Sequence, residues 1–320
     1  MMRKLVIGVL ICVAVTFAVH SYADLGEVVD EFGEFDWSYL PAVLASVVLY
    51  YLMKGLRWHF FLRKVGIKLP LRISLVVYLS GQWFAFSPLG EFVKAYLLGR
   101  YGVDFRRASS TIVAQVLIDF MSLAILGSVT LLWYSDLANV VLPFSGALSI
   151  GVVLLHKPGL WRLLDRWQQR FRLFRRLGFS WEKALQDTRL LTDRSTLLLG
   201  LALGLPTVLV GSATLLLVSM GFSSHGFSMT LDMPRSAYVY SLSQLLGAMS
   251  MLPHGLGAVE GGALALFART GFQDAALAAA IVALFRLATL GWGVGVGGLA
   301  LLVMPFVRVQ RAPSAVETQA

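Results

Sequence analysis

Two stretches decide the fold of this chain: Ser87-Pro88-Leu89-Gly90-Glu91 and Pro253-His254-Gly255-Leu256-Gly257-Ala258-Val259-Glu260. Each places proline, glycine and a carboxylate inside otherwise apolar sequence. Proline removes a backbone hydrogen-bond donor and glycine weakens a helix, so neither stretch is expected to cross a lipid bilayer as an intact helix. Non-helical backbone at membrane depth is tolerated where protein or a water-filled cavity satisfies it, and an acid beside such a break indicates a binding site.

The composition surrounding these stretches is that of a polytopic membrane protein. The chain has 320 residues, of which 57% are hydrophobic and 14% charged, and its mean hydropathy is +0.73. Residues 195–231 contain no charged side chain, although about 20 apolar residues already suffice to span a bilayer. The single cysteine, Cys12, excludes an intramolecular disulfide framework and a cysteine-rich metal site, and we expect no cofactor.

The net charge of +9 follows a membrane pattern, so we expect no nucleic-acid partner. Arg3 and Lys4 precede the first apolar run, and the connection at 20–37 carries acids but no lysine or arginine. By the positive-inside rule that connection is external, and a cytoplasmic loop follows the second apolar run. The basic residues that we assign to this cytoplasmic loop are Lys54, Arg57, Arg63, Lys64, Lys68 and Arg72.

We therefore predict an all-α polytopic membrane protein, a single integral membrane domain over residues 1–320, with six full transmembrane helices and two re-entrant broken helices. Residues 1–23 form either a retained first span or a cleaved signal peptide. The even number of crossings places both termini, including the tail 305–320, in the cytoplasm. The predicted full spans are 5–19, 38–53, 108–133, 137–155, 197–220 and 275–304, and the re-entrant hairpins are 73–98 and 238–268.

The cytoplasmic connection at 156–196 is basic, and part of it has an amphipathic pattern. From Trp161 to Leu177, apolar side chains recur at three- and four-residue steps between arginines. This pattern predicts a helix on the inner leaflet that binds anionic lipid, and the alternative is a solvated linker helix.

The two broken regions resemble copies of one unit, with repeat 1 at 73–155 and repeat 2 at 197–304. Each copy has a run with tyrosine, serine and glutamine, then proline and glycine, then an acid. Gly102 follows Glu91 by eleven residues, and Gly271 follows Glu260 by the same interval. Because the predicted topology has the copies entering from opposite faces, we expect an inverted repeat of the kind found in transporters; chance similarity between apolar runs is the alternative.

At these residues the chain resembles the lysylphosphatidylglycerol synthetase transmembrane region family, whose domain is flippase-like. The most specific parts are 88–98 and the Leu-Pro-x-Gly-Leu-Gly-x-x-Glu run at 252–260. The sequence departs from the family at Gln115 and Val116, where an acid-basic pair is common, and at His254, where glycine is usual. The positions that correspond to charged residues of the family are Glu91, Lys94, Asp119, Glu260 and Arg286.

The candidate site combines the helix breaks with the charged and amide side chains near them. Lys94, with Arg286, is expected to hold a lipid phosphate, and Glu91, Asp119 and Glu260 to provide proton-sensitive switching. Asp119 and Arg286 alternatively form a structural ion pair with each other. The full set of expected substrate-binding residues is Gln82, Pro88, Glu91, Lys94, Asp119, Gln244, Pro253, His254, Gly255, Gly257, Glu260 and Arg286.

The resemblance implies a lipid translocator of a bacterial or archaeal inner membrane that moves an anionic phospholipid or a lipid-linked intermediate. We expect no enzymatic activity; the alternatives are an integral lipid-modifying transferase and a scaffold for a soluble synthase. A homo-oligomer is compatible with the sequence. The glycine run at 293–298 matches a dinucleotide-binding pattern, but no strand precedes it, so the run predicts close helix packing inside the last span.

Overall fold

The computed structural model describes residues 25–84, 90–135, 191, 193–222, 231–250, 252–272 and 274–307, with a few single positions between 138 and 146. These residues form helices and the turns that join them, and no strand occurs among them. Several predictions concern residues outside this set: the first span and its signal-peptide alternative, nearly all of the span at 137–155, the segment from Trp161 to Leu177, and the turn at Pro88.

The described residues form ten α-helices. A π-helical turn, Leu287–Gly291, separates the last two helices. The α-helices are α1 (Leu25–Gly33), α2 (Leu40–Lys64), α3 (Leu71–Gln82), α4 (Gly90–Leu98), α5 (Phe105–Thr130), α6 (Arg194–Phe222), α7 (Met233–Met249), α8 (Ala258–Arg269), α9 (Ala275–Arg286) and α10 (Trp292–Val303).

Four helical segments are long and apolar enough to cross a membrane. They are Trp37–Lys64, Phe105–Thr130, Arg194–Phe222 and Ala275–Phe306, and they coincide with four of the six predicted spans. The prediction was wrong about where the first of them ends, because α2 continues through Lys54 and Arg57 to Lys64. Lys54 and Arg57 both pair with Asp119 on α5. Because their charges are paired, the helix can continue through them at membrane depth.

The predicted broken regions are pairs of short helices. α3 and α4 have 12 and 9 residues, and α7 and α8 have 17 and 12, each below the roughly 20 that a spanning helix needs. Between α7 and α8, the backbone forms a short 3₁₀ turn at Pro253–Gly255, with positive φ at His254, Gly255 and Gly257. The proline and glycine residues thus interrupt the second helix as predicted.

One helix of each broken pair packs against the opposite half of the chain. α3 lies along α10, and α7 lies along α5, while α2 and α6 form a further extensive contact. The absence of a side chain at Gly297 allows the end of α3 to approach α10 closely. A methyl group on Gly297 would lie only 2.5 Å from the Trp83 backbone nitrogen. The prediction that the glycine run at 293–298 serves helix packing is confirmed.

The two glycines that follow the acids at equal spacing have the same local role. Gly102 and Gly271 have φ of 76° and 82°, the left-handed conformation that commonly ends helices. An aspartate then caps the next helix in each case: Asp104 accepts a hydrogen bond from the Arg107 backbone N–H at 3.0 Å, and Asp274 accepts one from Leu277 at 2.9 Å. The same stop and start signals therefore precede α5 and α9.

A glycine at the second break is required by its surroundings. A methyl group on Gly255 would lie 2.6 Å from the Cα of Gly247, and the φ of Gly255 is +63°. We expect Gly255→Ala to destabilise the protein by about 1–3 kcal/mol, because α7 must move away and the backbone becomes strained. Unfolding in mixed detergent and dodecyl sulfate micelles measures the effect.

The matched control for that prediction is Gly261→Ala, one helical turn into α8. A methyl group there meets nothing within 4 Å, so the variant should be neutral or more stable by up to about 1 kcal/mol. Equal stability of Gly255→Ala and the unmodified protein would show that the turn tolerates a side chain.

Candidate functional site

Two chambers with charged and polar groups in their walls lie among α2 to α7, α9 and the second helix break. The larger chamber has a volume of about 390 Å³ and the smaller chamber about 130 Å³. They share wall residues and therefore adjoin, and we call them together the cavity. The side chains common to both walls are Tyr50, Lys54, Glu91, Tyr240, Gln244 and His254.

The helix start that follows the first break and the turn of the second break both contribute to the wall of this cavity. Gly90 and Glu91 begin α4, immediately after the first break, and both line the larger chamber. His254 and Gly255 belong to the turn of the second break and line the same chamber. The start of α4 and the turn of the second break, which are far apart in sequence, therefore line one site, as is typical of ligand sites built from discontinuous helices.

Asp119 on α5 joins two cations of α2. Its Oδ2 lies 3.0 Å from the Lys54 Nζ, and its Oδ1 accepts a hydrogen bond from the Arg57 guanidinium. Arg57 is fully buried, and its Nε and Nη1 have no hydrogen-bond partner among the described residues. The Lys54 Nζ also donates to the Tyr50 hydroxyl at 3.1 Å. One carboxylate thus faces two cations at the cavity wall.

Glu91 and Lys94 form a second ion pair within one turn of α4. The Lys94 Nζ lies 2.5 Å from Glu91 Oε2 and 4.4 Å from the centre of the Tyr78 ring. The Glu91 side chain is 39% exposed and lines the cavity, whereas that of Lys94 is 2% exposed. The stem of Lys94 packs on Gly81, where an added methyl group would lie 2.3 Å from its Cγ. Glu91, rather than Lys94, therefore faces the cavity.

Glu260 and Arg286 form a third pair that secures the second break. The Arg286 Nε donates to Glu260 Oε1 at 2.5 Å, and its Nη2 donates to the His254 carbonyl at 3.1 Å. Glu260 Oε2 accepts a hydrogen bond from the Gly257 backbone N–H at 2.7 Å, so the carboxylate also caps α8. Glu260 is buried, while Arg286 lines the smaller chamber. This network fixes the start of α8 against α9.

Of the two alternatives left open for Asp119 and Arg286, the ion pair between them does not form. Asp119 binds Lys54 and Arg57, and Arg286 binds Glu260. These contacts join α5 to α2 and α9 to α8, respectively.

The remaining predicted residues lie around the same cavity to different extents. Gln244 lines both chambers, and Gln82 lines the smaller one, where its Nε2 donates to the Tyr78 carbonyl at 3.4 Å. Gly257 contributes its N–H to Glu260, as described above. The backbone of Pro253 belongs to the turn at the second break, and Pro88 lies outside the described residues.

Sequence reasoning missed the residues that α2 contributes. Lys54 and Arg57 were assigned to a loop because charge counting ends a span at its first basic cluster. The signal that could have found them is their spacing: Tyr50, Lys54 and Arg57 are four and three residues apart, which places them on one face of a continuous helix. Tyr240, on α7 thirteen residues before Pro253, was also not among the predicted site residues.

The fold and site together define a multi-pass helical membrane protein with a charged cavity between interrupted helices. The chain belongs to the family described as the lysylphosphatidylglycerol synthase TM region, which it matches over residues 5–298. The predicted family is thereby confirmed. The chain is also similar to a UPF0104 membrane protein of Methanothermobacter thermautotrophicus, with 28% identity over 290 residues that cover 80% of this chain and 83% of the relative.

Proposed function

We propose that the protein is a flippase-like transporter that translocates an anionic phospholipid or lipid-linked intermediate across the inner membrane of a bacterium or archaeon. The observation that carries the proposal is that the start of α4, after the first break, and the turn of the second break line one charged cavity. A lipid headgroup in such a cavity would exchange its hydration for hydrogen bonds from protein side chains, while its acyl chains stay in the bilayer. No closed tunnel is required.

An inverted repeat would provide the two alternating states that translocation needs. In this proposal α3 to α5 correspond to α7 to α10, and the reciprocal packing of α3 on α10 and of α7 on α5 supports that correspondence. The matching glycine and aspartate signals before α5 and α9 support it further. In transporters with inverted repeats, one repeat moves against the other around a central site. Both termini would lie in the cytoplasm.

We favour transport over an enzymatic reaction because of how the carboxylates are held. Asp119, Glu91 and Glu260 each have a cation within an ion pair. A general base must be free to reach a substrate proton, whereas paired charges suit a site that rearranges its partners when a ligand enters.

Blocking the cavity without removing a charge tests the proposal. Gln244 lines both chambers, so Gln244→Trp should fill part of the space that a headgroup needs. In vesicles with purified protein and a fluorescent anionic phospholipid, we expect lipid to move at least about tenfold more slowly than with the unmodified protein. This corresponds to an activation barrier that is higher by about 1.4 kcal/mol. Dithionite quenching of the outer leaflet gives the rate.

The matched control is Met249→Trp, on the same helix but at an exposed position. It should move lipid at the unmodified rate. Equal rates for Gln244→Trp and Met249→Trp, in proteins of equal thermal stability, would contradict a headgroup path through this cavity.

A further inference from the structure

We infer that the headgroup taken by this cavity is a phosphate that bears a neutral, hydroxyl-rich group such as a polyol or sugar, and that cationic aminoacyl headgroups are rejected. The inference rests on the proposed function and names the substrate class of the same site. It follows from the charge balance of the cavity, the position of Lys54 and the chemistry of the neutral wall.

The charges around the cavity do not cancel. Within the described part of the chain, four cations of the three ion-pair clusters stand against three carboxylates. The excess arises at Asp119, which faces both Lys54 and Arg57, while Glu91 and Glu260 have one cation each. A positive charge in a poorly hydrated site attracts an anion strongly, and a ligand with one negative charge would neutralise it.

Lys54 is the cation placed to meet that anion. It lines both chambers, and its side chain is 19% exposed. An ammonium has three N–H donors, and the described contacts of Lys54 occupy two of them, one with Asp119 and one with the Tyr50 hydroxyl. The third donor is available to a phosphate oxygen. Arg57 adds positive charge behind it without reaching the cavity wall.

The polar part of the neutral wall suits hydroxyl groups. Tyr50, Tyr240 and Gln244 line both chambers, and phenol and amide groups each both donate and accept hydrogen bonds. The Tyr50 oxygen already accepts from Lys54, and a fully ionised phosphate, which only accepts, would leave the acceptor capacity of Gln244 unused. Hydroxyl groups of a ligand use both functions, and aromatic faces pack against the apolar face of a sugar or polyol.

The space beyond Lys54 is large enough for such a group. At about 30 Å³ per water, the 390 Å³ of the larger chamber corresponds to on the order of ten waters, and specific ligand pockets begin at about 300 Å³. A phosphate alone would leave most of the chamber to water.

A cationic headgroup lacks a free counter-ion here. Glu91 is the most exposed carboxylate of the cavity, and the Lys94 ammonium lies 2.5 Å from it. Asp119 is shared by two cations. An aminoacyl ammonium would therefore add positive charge to a site that already has an excess, at a cost that low local polarity increases.

Three lipids with identical acyl chains test the inference by native mass spectrometry of the purified full chain. They are phosphatidylglycerol, the same lipid with a lysyl ester on its glycerol, and phosphatidic acid. We expect phosphatidylglycerol to bind at least tenfold tighter than the lysyl ester and at least threefold tighter than phosphatidic acid. Equal or tighter binding of the lysyl ester, or equal binding of phosphatidic acid, would overturn the inference.

Two variants separate the phosphate and hydroxyl contributions. Lys54→Gln leaves Asp119 paired with Arg57 and should weaken phosphatidylglycerol binding at least tenfold, whereas Lys64→Gln, at an exposed position of the same helix, should not. Gln244→Leu should bring phosphatidylglycerol and phosphatidic acid within twofold of each other. Unchanged preferences in both cavity variants would overturn the assignment, and the comparison of the three lipids decides the substrate class even if Lys54→Gln does not fold.

The vesicle assay distinguishes failure of this inference from failure of the proposed function. Selective binding of phosphatidylglycerol without movement of any lipid would refute translocation and support the headgroup assignment. Movement of the lysyl ester at the same rate as phosphatidylglycerol would support translocation and refute the assignment.

Discussion

Asp119→Ala is expected to destabilise the protein by about 3–5 kcal/mol, because it leaves two cations of α2 without their carboxylate. Arg57 is fully buried and cannot reach water without moving the helix, and Lys54 is only partly exposed. The contact of α2 with α5 should loosen, and the cavity wall with it. The free energy of unfolding in mixed micelles of detergent and dodecyl sulfate gives the magnitude.

A double-mutant cycle shows whether the effect comes from the ion pair. Arg57→Met combined with Asp119→Ala removes the buried guanidinium together with its partner. We expect the double variant to be more stable than the sum of the single changes predicts, by about 1–3 kcal/mol. Additive losses would mean that Asp119 supports the fold by some contact other than the one with Arg57.

Glu260→Ala is expected to cost about 3–5 kcal/mol at the second break. The substitution leaves the Arg286 guanidinium without its carboxylate and the Gly257 N–H without its acceptor. Glu260→Gln should reduce the free energy of unfolding by less than Glu260→Ala does. The glutamine loses the charge, but its amide oxygen can still accept the hydrogen bond from the Gly257 N–H. Thermal unfolding followed by size-exclusion chromatography ranks the two variants.

Asp274→Ala provides the matched comparison for Glu260. Asp274 also caps a helix by accepting a backbone N–H, from Leu277 at 2.9 Å, but no ion pair to it is described. Loss of this cap should cost about 1 kcal/mol. If Glu260→Ala costs no more than Asp274→Ala, the pair with Arg286 contributes nothing to stability beyond the cap.

The charged residues have two different roles, one in stability and one at the cavity wall. Glu260 is buried, and both of its oxygens have partners within the second break, so its main contribution is to hold α8 and α9 together. Lys54 and Glu91 instead line the cavity and keep part of their side chains exposed. Loss of lipid binding at unchanged stability is therefore expected at the cavity wall and not at Glu260.

Local sequence properties were sufficient for the helices and their interruptions. Four apolar runs predicted the four candidate spans to within a few residues at most ends, because hydrophobic length is read directly from neighbouring residues. The run at 253–257 predicted the second break, because proline and glycine change the backbone at their own positions. The glycine run at 293–298 likewise predicted close packing.

The end of α2 required more than local sequence. A window that contains Lys54 and Arg57 indicates a cytoplasmic loop, since two cations without an acid are costly inside a bilayer. The compensating carboxylate is Asp119, 62 residues beyond Arg57 on another helix. Only the packing of α2 against α5 brings that carboxylate close enough for the helix to continue.

The sequence by itself therefore determined the class of protein, the family motifs, the second break and the candidate spans within the described residues, except for the end of α2. Tertiary structure decided which charges pair, that Lys94 is buried while Lys54 faces the cavity, and that the start of α4 and the second break line one cavity. The physical reason is the distance along the sequence over which each interaction acts. Hydropathy and backbone propensity depend on adjacent residues, whereas the energy of a charge at membrane depth depends on partners that only helix packing supplies.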